Sequence, residues 1–155
     1  MAIKKPIVLN LTNGQLEQLQ GTDSIDLGNT VTKNNPALVT LPFGTPVHFS
    51  GGDAIPSQAN AQGTIRVAGF VAEDITTVTS GPILIDGKLT AALASDWDSI
   101  VTEAGGIVEG TNYFLDEANA GQITAIPPTT GFVVRLGHAL STTEFEIEVQ
   151  QPIKL

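Results

Sequence analysis

A chain of 155 residues with no cysteine is long enough to bury one core without staples, and it has neither a disulfide framework nor thiolate chemistry to draw on. Sixteen acidic residues against seven basic ones leave a formal net charge of −9, a surface that repels nucleic acid and speaks against direct DNA or RNA binding. Charged residues make up only 15% of the chain while glycine and proline number 16 and 9, the composition of a loop-rich β protein rather than a helical or disordered one.

Residues 2–11 read as extended, because Pro6 excludes helix from the residues before it. Lys4 and Lys5 precede a brief apolar run, but Asn10 breaks that run and it is too short for the core of a secretory signal. No stretch is apolar for long enough to span a bilayer, so no membrane association is expected and the chain should stay where it is made. The segment is either an edge strand of the domain or an arm that docks on a neighbouring protein. As an arm it would offer Lys4 and Lys5 to acidic groups and Ile7 and Leu9 as apolar contacts. Thr12 and Gln15 have capping-box spacing and Leu16 and Leu19 fall three apart, which predicts a short helical turn over residues 13–20. Weakly patterned polar sequence follows. Asn34-Asn35-Pro36 then marks a boundary, dividing an attachment arm (residues 1–36) from a compact β domain (residues 37–155).

Strand signals return in residues 38–41 and 46–50, separated by Pro42-Phe43-Gly44, and Gly51-Gly52-Asp53 closes the second run with a turn. A polar loop over residues 57–63 leads into residues 64–72, a strand in which Ile65, Val67 and Phe70 cannot share one regular face. Ala68-Gly69 is its expected bulge. Residues 76–79 and 82–85 follow as strands, and Asp86-Gly87 is the best two-residue hairpin signal in the chain. A helix is expected over residues 96–102, capped by Ser95, with Asp96 and Asp98 at its positive end and Trp97, Ile100 and Val101 on one face. Trp97 then plugs the core; the alternative is an exposed tryptophan that stacks on sugars.

Residues 112–115 and 122–126 form a further pair, joined by a polar loop, and Pro127-Pro128 bars helix beyond it. In residues 131–140 Phe132, Val134 and Leu136 fall on one face and Val133 and Arg135 on the other, and Ser141-Thr142 is a short enough connection for a hairpin. Residues 144–149 alternate strictly, sending Phe145, Ile147 and Val149 to a core and Glu144, Glu146 and Glu148 to water. Each such apolar burial is worth roughly 1.5–3 kcal/mol before entropy is subtracted. A slip of one residue would bury the glutamates, so the register is fixed. The whole predicts an all-β fold, a jelly-roll-like sandwich or barrel with one or two short helices and an extended N-terminal arm.

The candidate residues for chemistry all have plainer roles. His48 and His138, the only histidines, fall inside strand patterns; a Ser-His-Asp triad can assemble from distant positions, but the chain has no nucleophile elbow. Asp96, Asp98 and Glu103 lack the third ligand and central glycine of a calcium loop, and serve as charges at a helix start. The run from Gly81 to Lys88 has five residues between its glycines and Leu89 where a phosphate loop needs Ser or Thr, so it reads as a hairpin. Catalytic residues, cofactors and metals are therefore not expected, and the acidic stripe of residues 144–148 is a solvated face or a surface for a basic partner.

The last third of the chain adds a resemblance. Gly105, Gly106, Tyr113, Phe114, Leu115, Gly121, Thr124, the run from Pro127 to Val134, Gly137, the run from Ala139 to Thr143 and Pro152-Ile153 form a pattern. It is similar to that of a β-rich module in virion proteins of tailed bacteriophages, among them capsid decoration (cement) proteins, head fibres and tail-associated proteins. The resemblance implies a structural protein made in the host cytoplasm that binds the outer surface of the assembled head and contacts the major capsid protein. It also implies a homotrimer seated at local three-fold axes. A head-fibre, neck or tail-fibre adhesion protein is the alternative, but one tryptophan and one tyrosine make a poor sugar-binding surface.

Overall fold

The structure, a computed structural model, describes residues 7–10, 15–18 and 29–155, the first two segments as strand backbone. These are β1 (Ile7–Asn10) and β2 (Gln15–Gln18), an antiparallel pair in which Ile7 faces Gln18 and Asn10 faces Gln15. The helical turn expected over residues 13–20 is corrected here: its middle four residues are strand, because pairing to residues 7–10 overrides a weak local capping signal.

A closed barrel follows. Its strands are β3 (Thr30–Asn34), β4 (Pro46–Ser50), β5 (Asp53–Pro56), β6 (Gly69–Val71) and β7 (Ser80–Leu84), in the order β3-β5-β4-β6-β7. β4 and β5 form the hairpin that Gly51-Gly52 predicts, with Ser50 opposite Asp53. β3 closes the ring, antiparallel to β7 from Thr30↔Leu84 to Asn34↔Ser80 and parallel to β5 at Asn34↔Asp53. It lies before Pro36, so the barrel takes one strand from the stretch that the sequence assigns to the arm. Inside pack Val47, Ala54, Val71 and Ile83, with Leu41 and Ile75 brought in by loops.

The barrel's neighbour is a five-stranded antiparallel sheet of β8 (Gly87–Thr90), β9 (Asn112–Leu115), β10 (Ile123–Thr124), β12 (Arg135–Ala139) and β13 (Glu144–Ile147), in the order β10-β9-β12-β13-β8. Two short strands, β11 (Phe132–Val133) and β14 (Ile153–Lys154), pair with each other. The main core lies between barrel and sheet. Phe70 belongs to that core while its neighbour Val71 belongs to the barrel interior, as the period of two requires of a strand with both faces covered. Phe145 joins the layers: its ring lies 5.7 Å from that of Phe70, 5.8 Å from Trp97 and 6.1 Å from Tyr113.

Several expected elements are corrected. Residues 38–41 are not a strand, since only Leu41 pairs, in a single bridge to Ile75. Residues 76–79 make a turn closed by Thr79 N donating to Thr76 O, and 64–72 narrow to β6. Asp86-Gly87 is no hairpin, because β7 pairs in the barrel and β8 pairs with β13. The dipeptide turns the corner between the two layers, Gly87 at φ 89°. The helix over residues 96–102 is a 3-10 turn, Ala94–Trp97, with Leu93 rather than Ser95 at its N-cap. Asp96 Oδ2 accepts the Leu93 amide at 2.9 Å. Val149, expected inside, is 39% exposed, because β13 ends at Ile147.

Candidate adhesion surface

Of the four residues expected to contact a partner, Lys4 and Lys5 lie outside the described residues, while Ile7 and Leu9 are placed as alternate positions of β1.

The described residues present a second surface, built on Asn35, which is 1% exposed. Its Nδ2 donates to the carbonyls of Val39 and Ile75, both at 2.9 Å, and of Thr76 at 3.2 Å, while Oδ1 accepts the Ala37 amide at 2.9 Å. The backbone adds Asn35 N to Thr79 O at 2.7 Å, and Leu41 and Ile75 exchange two bonds of 2.9 Å. One buried amide thus ties the loop of residues 36–40 to that of residues 76–79. The side chains these loops carry outward are apolar: Leu38 is 88% exposed, Val39 66% and Val78 73%. Val78 also has φ 57°, a left-handed conformation that a β-branched residue adopts only under strain. Sequence reasoning took Asn35 for a boundary marker and residues 76–79 for a strand. The available signal was the Asn-Pro pair, whose turn captures the amide two residues on.

The histidines sit in the strands expected of them. His48 Nδ1 lies 3.4 Å from the hydroxyl of Ser57, which is fully buried and closed to any substrate, and burial lowers the pKa of the imidazole. His138 Nδ1 lies 3.3 Å from Glu148 Oε2. The acidic stripe is partly neutralised from within: Glu144 pairs with Lys88 at 2.6 Å and Glu148 with Arg135 at 3.0 Å. The Arg135 hydrogen bond holds the Glu148 carboxyl below its ordinary value, assisted by the charges of Arg135 and His138. Pairs this exposed add little to stability, and they leave less free charge for a basic partner than the stripe suggests.

The carboxylates around the 3-10 turn do not converge. Asp96 is turned back on the Leu93 amide, while Glu103 accepts Thr124 Oγ1 at 2.6 Å and the Ala125 amide at 3.1 Å. Burial raises the pKa of Glu103, but the hydrogen bonds from Thr124 and Ala125 together outweigh it and the net direction is downward. Trp97 is fully buried, edge-on to Phe43 at 5.2 Å, which rules out the sugar-stacking alternative; its indole N–H has no hydrogen-bond partner among the described residues. Tyr113 is buried as well, its hydroxyl accepting the Val108 amide at 2.9 Å. Searches of protein-family models, of curated proteins and of solved structures find no match to this chain.

Proposed function

We propose that this chain is a structural virion protein of a tailed bacteriophage, a decoration or cement protein that binds the outside of the assembled head and holds neighbouring major capsid protein subunits together. The observation that carries the reading is the phage-like pattern of the last third of the chain. Its members take structural positions here: Tyr113 fastens the loop at Val108, Thr124 binds Glu103, and Gly137 lies where β13 crosses too close for a side chain. That pattern is one of construction. The rigid apolar tip of Leu38, Val39 and Val78 supports adhesion, since a cluster held outward by buried hydrogen bonds is the kind of surface another protein covers.

A ligand that binds only the assembled, expanded shell stabilises it by mass action, and a trimer multiplies weak contacts through effective concentration. The test is to mix the purified protein with heads that lack it and image the product. Density repeated over the head lattice is the expected result. Density confined to a vertex, neck or tail would replace cementing with the fibre or neck role, and no density on any virion part would overturn the reading altogether.

A further inference from the structure

A groove of about 690 Å³ runs between residues 62–67 and the C-terminal stretch 149–154, against Ile65, Val67 and Phe132, which also pack on the main core. Two independent features distinguish it. The first is charge. Among the described lysines and arginines, Lys33 donates to Gly51 O and lies over the Phe49 ring, Lys88 pairs with Glu144 and Arg135 with Glu148. The remaining two, Arg66 and Lys154, are exposed, their side chains have no hydrogen bond or ion pair among the described residues, and both line this groove. On a chain with net charge −9, the two unneutralised cations among the described residues are thus gathered in one place.

The second feature is backbone. Among the described residues, Ile65, Arg66 and Val67 form no backbone hydrogen bond, and Gln151 on the opposite wall forms none either. β14 pairs with β11 along one edge, leaving its other edge without a strand among the described residues. Open main chain beside an apolar floor is the setting in which an extended peptide adds itself as a strand, its backbone supplying affinity and its alternate side chains specificity.

We infer that this groove receives an extended, carboxylate-bearing segment of another protein. Its main chain pairs with the open backbone of the walls, its apolar side chains rest on Ile65, Val67 and Phe132, and its carboxylates meet Arg66 and Lys154. An anionic polysaccharide would use the cations but not the open backbone, and the lining offers it one ring, that of half-buried Phe132. The inference stands apart from the virion reading, because it needs only the groove.

The experiment is a titration of the isotope-labelled full chain, followed by amide NMR, with a capped peptide alternating valine and glutamate and with its valine–glutamine counterpart. Shifts confined to residues 62–67, 131–133 and 149–154 are expected, with binding weaker by roughly tenfold for the glutamine peptide and for R66E/K154E. Added salt should weaken binding of the glutamate peptide. Both cations are exposed, so the variant should melt where the parent does; should it not, Arg66→Gln with Lys154→Gln reads the same loss. Equal binding of the two peptides, shifts elsewhere, or affinity unchanged in the charge variants would overturn the inference. So would a uronate oligosaccharide that binds the groove more tightly than the glutamate peptide, or self-association abolished by R66E/K154E.

Discussion

Both ends of the Asn35 amide are occupied, and the carbonyl of Ile75 is buried with it. Truncation to alanine strands several polar groups at once, so Asn35→Ala should cost about 2–3 kcal/mol, read as a lower urea midpoint at unchanged slope. Val78 is the converse case. At φ 57° and 73% exposure it gives up little buried area on replacement, and Val78→Asn should raise stability by about 1 kcal/mol in the same measurement. Glu103 couples stability to pH. Its carboxyl is held below the ordinary value of 4.5, so the carboxylate's contribution is complete above that pH and disappears as pH falls through the folded-state value. Glu103→Gln should therefore be less stable than the parent by about 1 kcal/mol at neutral pH, with the difference closing in acid, as urea melts across a pH series would register. The bonds of Asn35 to Ile75 and Thr76, and of Glu103 to Thr124 and Ala125, are not visible in the local sequence, because they depend on groups brought from far along the chain.

At the scale of elements, alternation was the dependable signal. Phe145 and Ile147 are buried as residues 144–149 predict, and residues 112–115 and 122–126 contain the β9–β10 pair. What failed was partnership. Residues 38–41 and 76–79 are rich in β-branched side chains, yet the barrel has no place beside them for a ladder, so they became loops. Asp86-Gly87 provides the left-handed turn its composition promises, but turn chemistry does not determine which strands flank it. The N-terminal helix was lost to strand pairing in the same way. Gly137 shows a constraint of the opposite kind. It stands at the register shift between β12 and β9, and an added Cβ would collide with the Glu146 carbonyl of β13 and meet the Phe145 ring at 3.0 Å. Because that carbonyl is backbone of a central strand and cannot yield, Gly137→Ala should cost at least about 3 kcal/mol, detectable as a large fall in melting temperature.

For the molecule as a whole, β3 decides where a truncation can end. Removing residues 1–28 leaves every barrel strand in place, and the product should keep the parent's β-sheet circular dichroism and a cooperative melt. Removing residues 1–33 takes away four of the five residues of β3, opening both the β3–β7 and the β3–β5 seams, and should abolish that melt. If residues 1–28 are an attachment arm, the shorter truncation should also fail to bind heads. All-β character was legible from composition and alternation. A barrel was among the expected forms, but the strand that closes it was not legible, because closure depends on Thr30–Asn34 returning to Ser80–Leu84 across the 45 residues between them. The arrangement also has a temporal meaning. The barrel is encoded entirely within residues 30–84 and the sheet within residues 87–147, so a ribosome delivers the first as a finished set before the second begins. The nascent barrel can close on its own interior of Val47, Val71 and Ile83 while Phe70 waits outside, a template on which the later strands condense as they emerge.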